Sequence, residues 1–246
     1  MNETWIAGRN SVLEAIRSGR PIERVYVQDG LKDGPVQTIV GAAKKAGLYV
    51  RYETKERLTQ LAGTENHQGV AAYAASYEYS AVEDILKEAR EKGEDPFVIL
   101  LDGIEDPHNL GSVIRTAHQA GAHGVIVREN RAVGLTATVA KTSAGALNYT
   151  KVAKVTNIVK TMEALKKEGL WFVCADMDGT RMYDLPQKGP VGLVIGAEGS
   201  GVSRLVKEHC DFVASVPMTG KIDSLNASVA AAVLMYEIVR QRLSDR

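Results

Sequence analysis

Residues 96–127 read PFVILLDGIEDPHNLGSVIRTAHQAGAHGVIV, and this stretch decides the fold class of the chain. An apolar run at residues 97–101 leads through a polar loop into a helical stretch at residues 110–121, and a second apolar run follows at residues 124–127. Apolar runs without polar alternation are typical of strands that are covered on both faces. The stretch therefore predicts a strand–helix–strand unit of a parallel sheet.

The same alternation continues to the end of the chain. Further apolar runs, each followed by a polar or glycine-rich segment, lie at residues 151–155, 171–175, 191–195 and 212–216. Helical stretches separate most of them, and the spacing predicts one long final helix over residues 226–243 with Asp223 or Ser224 as its N-cap. The pattern predicts an α/β fold with a parallel sheet between two layers of helices.

The first part of the chain reads as a smaller α/β unit. Three short helices, at residues 12–18, 35–46 and 54–61, alternate with strands at residues 24–28, 48–51 and 69–75. A charged, helix-favouring segment and the breaker Gly93-Glu94-Asp95-Pro96 follow. We predict a domain at residues 1–75, a linker at residues 76–95 and a second domain at residues 96–246.

Composition narrows the class of protein. The 246 residues are 45% hydrophobic and 24% charged, which is typical of a globular protein and excludes disorder or a disulfide scaffold. No apolar run approaches the ~20 residues of a membrane span, and no signal peptide is visible, so we expect a cytoplasmic protein with reduced Cys174 and Cys210. Lys and Arg total 30 and Asp and Glu total 30, so any binding of nucleic acid must come from local patches.

The first polar segment follows the strand at residues 97–101. Asn109 lies near the start of the next helix and Arg115 lies further along it, where an N-cap and a solvated side chain are the plainer interpretations. Asp102, Glu105, Asp106 and His108 lack a spacing specific to any metal site. We therefore predict no metal.

The second segment, residues 193–203, reads LVIGAEGSGVS. It resembles a phosphate-binding loop in outline, yet no Gly-Lys-Ser/Thr follows, and the glycines at 196, 199 and 201 do not fit G-x-G-x-x-G. Glu198 would repel a phosphate. The segment is either a tight strand–helix connection or a place where the backbone approaches a ligand that is not a pyrophosphate.

The third segment, residues 216–232, reads VPMTGKIDSLNASVAAA. Small residues in the first turns of the final helix favour close packing against another element. Packing alone leaves the clustered Ser224, Asn226 and Ser228 unexplained.

In this order the three segments resemble the motifs of the SpoU (TrmH-like) branch of the trefoil-knot (SPOUT) RNA methyltransferases. The matching stretches are residues 109–116, residues 195–199 and residues 224–228. Residues 8–12 and 67–70 look like parts of the substrate-binding domain that many members carry. The resemblance covers nearly the whole chain, and within the family it is greatest to enzymes that act on large-subunit ribosomal RNA.

The resemblance implies a fold and a set of partners. The second domain would be an α/β knot with a deep trefoil knot, and the first would be a ribosomal-protein-like domain that binds RNA. The cofactor would be S-adenosyl-L-methionine, in contact with Gly196, Val216 and Leu225. The active form would be a homodimer whose two chains assemble each site.

The resemblance also implies an activity, transfer of a methyl group to the ribose 2′-hydroxyl of a guanosine in 23S ribosomal RNA. The expected catalytic residues are Asn109, Arg115, Glu198, Ser224 and Asn226. Ser224 and Asn226 would orient the hydroxyl and the donor, Asn109 would hold Arg115 or the ribose, and Glu198 would orient basic groups. A guanidinium is always protonated, so we expect Arg115 to clamp phosphate and stabilise the developing alkoxide.

Three other functions stay open at this point. Transfer RNA could be the substrate, or the chain could be a non-catalytic RNA-binding or assembly factor of the same fold. A nucleotide-dependent oxidoreductase is disfavoured by the glycine spacing.

For the dimer we expect a small-residue face of the final helix. Ala227, Ala230 and Ala231 would lie at the interface, extended by Leu234 and Ile238. The same face could instead pack wholly within one chain.

Overall fold

The computed structural model describes residues 5–17, 22–74, 77–221 and 224–244. Two compact units divide the chain, Met1–Glu78 with Gly134–Thr136 and Tyr79–Val133 with Ala137–Arg246. The predicted boundary at residues 75–76 lies outside the described residues.

In the described residues, the first unit contains a mixed sheet of four strands. Its elements, in chain order, are β1 (Trp5–Ala7), α1 (Arg9–Arg17), β2 (Ile22–Gln28), α2 (Gly34–Lys45), β3 (Val50–Glu53), α3 (Lys55–Ala62) and β4 (Val70–Ala74). The sheet order is β1-β4-β2-β3, where β3 is parallel to β2 and both other pairs are antiparallel. The helices and strands predicted for this unit are confirmed, and the structure contains one further strand, β1, that was not predicted.

Alternation along the strands gives this first sheet two different faces. Val25 and Val27 of β2 are buried in the core formed with α1 and α2. Side chains of β2 that alternate with them, such as Tyr26, belong to the opposite face. There the Trp5 ring centroid lies 5.1 Å from that of Tyr26 and 5.0 Å from that of Tyr73.

The second unit contains a parallel sheet with helices between its strands. The described elements are α4 (Val82–Lys92), β5 (Phe97–Asp102), α5 (Pro107–Gln119), β6 (Gly124–Arg128), α6 (Ala137–Thr142), β7 (Lys151–Val155), α7 (Ile158–Lys167), β8 (Trp171–Arg181), β9 (Val191–Gly196), α8 (Arg204–Glu208), β10 (Phe212–Ser215) and α9 (Ala227–Leu243). Every residue of β5 and β9 is buried. The predicted parallel α/β sheet is confirmed.

The segment assigned above to a linker contains α4. Ile85, Leu86 and Ala89 of this helix are buried, and the first two belong to the core of the second unit. The isoleucine lies against Gly124 of β6, where an added Cβ would come within 2.5 Å of its side chain. Residues 82–92 are therefore part of the second unit, because their apolar side chains cover its sheet.

The order of strands locates the place where a ligand can bind. The sheet order is β10-β8-β9-β5-β6-β7, and all neighbouring strands are parallel. The chain leaves β5 toward β6 and leaves β9 toward β10, so the connections diverge between these two central strands. Crevices outside the carboxyl ends of such strands are the usual binding sites of open α/β sheets. After β10 the chain returns, and α9 packs against α5. The deep trefoil knot stays a prediction.

Candidate active site

Asn109 lies in the first turn of α5 but does not cap it. Asp106 is the N-cap, since its carboxylate accepts a hydrogen bond from the backbone N–H of His108 at 3.0 Å, and Pro107 opens the helix. The side chain of Asn109 is therefore free to point into the protein, where the residue is only 5% exposed.

The three segments meet in one hydrogen-bond network. The Nδ2 of Asn109 donates to Oε1 of Glu198 at 3.1 Å, and its Oδ1 accepts from Nδ2 of Asn226 at 2.9 Å. The same Nδ2 of Asn226 also donates to Oε1 of Glu198. These residues are 89 and 117 positions apart from Asn109 along the chain, so the fold alone brings them together.

The N-cap of α9 explains why Asn226 points this way. Its Oδ1 accepts from the backbone N–H groups of Ser228 at 3.0 Å and Val229 at 3.3 Å, so its Nδ2 faces the other two segments. The hydroxyl of Ser228 adds a third hydrogen bond to Oδ1 at 2.6 Å. The expectation of Ser224 as the cap is wrong, because its neighbour Asn226 supplies the capping oxygen; Asp223 lies outside the described residues.

A buried carboxylate, Asp102, fixes the loop after β9 to the end of β5. Asp102 is 3% exposed and accepts from the backbone N–H of Ser203 at 2.9 Å and from Nη1 of Arg128 at 2.7 Å. From the sequence, Asp102 stood out only as a candidate metal ligand. Its position at the end of an apolar strand could have identified it as a structural residue. A carboxylate buried there needs a hydrogen-bonding or charged partner.

Close packing of the backbone within the chain requires a glycine at position 196. A Cβ at this position would lie 2.0 Å from the backbone carbon of Gly201 and 2.1 Å from the nitrogen of Val202. The loop of residues 197–203 therefore folds back onto the strand end, and Ala197 forms an isolated bridge with Gly201. Any larger residue at 196 would displace this loop before it affected a ligand.

A cleft of about 620 Å³ lies beside the network. It brings together the three residues expected to bind the donor, Gly196, Val216 and Leu225, and three expected catalytic residues, Glu198, Ser224 and Asn226. Met177 and Met218 add apolar lining that no sequence motif had indicated.

A fixed anionic group also lines this cleft. The carboxylate of Asp176 lies 2.8 Å from Nζ of Lys207, and the hydrogen bond from this ammonium group lowers the pKa of Asp176. The aspartate therefore stays ionised at neutral pH. Together with Glu198 it gives the cleft negative groups and no phosphate-binding pattern.

Arg115 is not part of this network. It is exposed on α5, six residues after Asn109, which is about 9 Å along the helix axis and about 120° around it. Its side chain forms no hydrogen bond or ion pair with any of the described residues. Within one chain, Asn109 and Glu198 hydrogen-bond to each other and to Asn226 rather than to Arg115. The expectations that Asn109 holds Arg115 or the ribose and that Glu198 orients basic groups stay predictions.

The face of α9 that was expected at a dimer interface packs mostly inside the chain. Ala227, Ala231, Leu234 and Ile238 are all buried. A different stripe of α9 is exposed, formed by Val229 at 46%, Tyr236 at 50% and Leu243 at 57%. These three residues are seven positions apart and share one side of the helix.

No helix among the described residues is long and apolar enough to cross a membrane. No group of three or more His, Cys, Asp or Glu side chains in that part of the chain could hold a metal ion.

Two family models match the chain. The model of the SpoU rRNA Methylase family matches residues 96–236. The model described as RNA 2′-O ribose methyltransferase substrate binding matches residues 5–80. The first match contains all three segments of the network.

Similar proteins agree with these matches. YacO of Bacillus subtilis, assigned to the TrmH family of tRNA/rRNA methyltransferases, is 46% identical over 239 residues, covering 97% of this chain and 96% of its own. A Staphylococcus haemolyticus protein of the same assignment is 44% identical over 243 residues, covering 98% and 97%.

Solved structures share the fold. The SpoU methyltransferase AviRb of Streptomyces viridochromogenes aligns with a TM-score of 0.62 and 27% identity, covering 99% of this chain and 91% of that one. A structure described as an RNA 2′-O ribose methyltransferase aligns with a TM-score of 0.56 and 26% identity, covering 97% and 88%.

Proposed function

The chain belongs to the SpoU rRNA methylase family, and from this premise we propose that it methylates the ribose 2′-hydroxyl of a guanosine in 23S ribosomal RNA with S-adenosylmethionine. As a member of that family it is an RNA ribose 2′-O-methyltransferase. The names of the similar proteins include both tRNA and rRNA, so transfer RNA is the second candidate substrate. The observation that carries the proposal is the meeting of Asn109, Glu198 and Asn226 beside the cleft.

The cleft suits the proposed donor. Its lining combines apolar side chains with strand-end backbone, and its charged groups include the carboxylates of Asp176 and Glu198. Carboxylates repel cofactors that carry phosphate and favour one that carries a sulfonium and an ammonium group. Gly196, Val216 and Leu225 would hold this donor, which supplies a methyl group on positively charged sulfur.

Glu198 is the group of the network that can accept a proton. Both amide donors hydrogen-bond to its Oε1, and no donor among the described residues reaches Oε2. We assign Oε2 to the hydrogen bond from the attacking hydroxyl and to the proton that this hydroxyl loses. The two asparagines hold the carboxylate in place, and Ser224 lies on the cleft wall where it can orient the hydroxyl.

Arg115 serves the site of the other chain in a homodimer. Within its own chain it points away from the network, and its planar guanidinium suits RNA phosphate and a developing alkoxide. The stripe of Val229, Tyr236 and Leu243 supplies the apolar contact surface for a second copy. Each site would then combine Glu198 of one chain with Arg115 of the other.

The first unit supplies RNA affinity. Its sheet carries Trp5 and Tyr73 in ring contact, and the Arg24 guanidinium lies 5.2 Å from the ring centre of the half-exposed Tyr49. Aromatic rings stack on unpaired bases, and arginines contact phosphate. This surface fits single-stranded or loop RNA.

The test is methyl transfer from labelled donor to unmodified large-subunit ribosomal RNA and to unmodified transfer RNA. We expect incorporation into the ribosomal RNA at one 2′-O position of a guanosine. Incorporation of the methyl group only into transfer RNA would show that transfer RNA, and not ribosomal RNA, is the substrate. No incorporation into either, by a chain that binds S-adenosylhomocysteine, would favour the non-catalytic RNA-binding factor.

A further inference from the structure

A second cavity lies on the other side of the loop that closes the donor cleft. It has a volume of about 590 Å³, and its walls come from the loops that follow β5, β6 and β9. It therefore opens at the point where the connections of the sheet diverge, between the carboxyl ends of β5 and β9. Its size is within the range of small-molecule sites. If the methyl donor binds in the first cleft, it does not occupy this second cavity, whose role is then still to be assigned.

The two cavities share a wall and reach the same network. Ala197, Glu198, Ser200 and Gly201 line both cavities. Asn109 faces the second cavity and Asn226 faces the first. A nucleotide with its base in the second cavity would place its ribose at the shared wall, next to Glu198 and to the donor.

The charged lining of the second cavity contains both signs. Arg128 is held by Asp102 through one nitrogen, which leaves its other N–H groups available. Arg131 is exposed, forms no hydrogen bond or ion pair with any described residue, and has a φ of +54°, in the left-handed region that an arginine seldom adopts. Glu105 is exposed and has no partner among those residues either.

The loops that carry Arg131 and Glu105 are tied together. The backbone N–H of Val133 donates to the carbonyl of Ile104 at 2.9 Å. One guanidinium and one carboxylate without partners therefore flank the same cavity from adjacent loops. The cavity therefore offers a ligand both a hydrogen-bond donor group and an acceptor group.

This pairing selects a class of ligand. A phosphate would meet the carboxylates of Glu105, Asp106 and Glu198, and a cation would meet the two arginines. A neutral base with separate donor and acceptor edges avoids both conflicts. Guanine fits best, because O6 and N7 form an acceptor pair suited to a guanidinium, while N1–H and the N2 amino group form a donor pair suited to a carboxylate.

We propose that this cavity binds the guanine base of the target nucleotide, with Arg131 on O6 and N7 and Glu105 on N1–H and the N2 amino group. The proposal rests on the proposed function and names the part of the chain that selects guanosine. Arg131 and Glu105 are specificity residues, whereas the methyl transfer itself stays with the network around Glu198.

The test measures binding, so that it does not depend on turnover. The full chain, saturated with S-adenosylhomocysteine, is titrated with trinucleotides whose central nucleoside is guanosine, inosine, 7-deazaguanosine or adenosine. Inosine lacks the N2 amino group and 7-deazaguanosine lacks N7. We expect the wild-type chain to prefer guanosine over each analogue by about 5- to 150-fold, the range for a bidentate base contact.

Two variants test which residue contacts which edge of the guanine base. Arg131→Ala should abolish the preference over 7-deazaguanosine and keep the preference over inosine, and Glu105→Gln should do the reverse. Arg90→Ala and Glu91→Gln on α4 are the matched controls and should bind as the wild type does. Unchanged affinity for S-adenosylhomocysteine shows that each variant keeps its fold.

The possible failures are distinct. A wild-type chain without preference for guanosine, or a preference that survives both variants, would overturn the proposal for this cavity. A chain that shows the predicted selectivity but methylates no RNA would support the cavity and overturn the proposed activity.

Discussion

The two sheets of this protein offer their functional groups in different places. In the second unit the strands β5 and β9 are buried along their whole length, so only the loops at their carboxyl ends can meet a ligand. In the first unit the sheet alternates, and one face carries Trp5, Tyr73 and Arg24 while the other builds the core. The comparison teaches that chemistry lies at strand ends where both faces are covered, and that recognition can use side chains along a face where they stay partly exposed.

The largest expected effect is at the strand ends. Glu198→Gln keeps an oxygen for the two asparagines but removes the group that accepts the proton, so kcat should fall by about 100- to 10,000-fold. Calorimetry should show that S-adenosylhomocysteine still binds, with a loss of no more than about 1 kcal/mol for one partly solvated charge interaction. The matched control is Glu208→Gln on α8, and wild-type turnover in Glu198→Gln would refute the assignment.

The next prediction asks whether the strand-end site is shared between chains. Arg115→Ala and Glu198→Gln should each be inactive alone. Mixed dimers from co-expression should recover activity, up to about a quarter of wild type, because one of the two sites then has both residues. The measurement is methyl transfer by separately purified and co-expressed chains. A mixture as inactive as the single variants would place both residues in one chain's site.

A third prediction separates the two sides of α9. Leu234→Glu puts a charge into the core and should cost several kcal/mol of folding free energy. Tyr236→Glu alters the exposed stripe, so the melting temperature should change little while the mass halves and the methyl transfer is lost. Light scattering, thermal melting and the methylation assay distinguish the cases. A dimeric, fully active Tyr236→Glu would move the interface to another surface.

The smallest expected effect is on the face of the first sheet. Trp5→Ala removes one stacking ring, which should weaken RNA binding by about 5- to 150-fold and leave kcat at saturating RNA unchanged. The affinity of the wild-type chain should fall with added salt, because phosphate contacts release counterions. Filter binding over a salt series measures both effects. A change in kcat rather than in affinity would mean that this face takes part in the chemistry.

Local patterns made much of the fold predictable. The apolar runs gave the six strands of the described parallel sheet, and the alternation of short strands and helices gave the first unit. The helix α4 was assigned to a linker because its charged surface dominates the sequence, although Ile85 and Leu86 cover the sheet. A charged helix with one apolar stripe is read correctly only when the surface it covers is known.

The candidate site was predictable as a set of segments but not as a geometry. Asn109, Glu198 and Asn226 were all identified, yet their partners were not, and Asp102 was passed over. The stripe of Ala227, Ala231, Leu234 and Ile238 was expected on the outside, but it is buried. Apolar residues occur on all sides of α9, so periodicity cannot tell which side the rest of the chain covers.

The sequence by itself determined the alternation of strands and helices, the glycine turns after the strands and the residues that could carry chemistry. These features depend on the conformational preferences and polarity of residues only a few positions apart in the sequence. Only the tertiary structure decided that Oε1 of Glu198 accepts from two asparagines and that a second cavity opens beyond the loop of residues 197–203. Such contacts join residues many tens of positions apart, and strand order and helix packing, rather than local preference, set the distances between them.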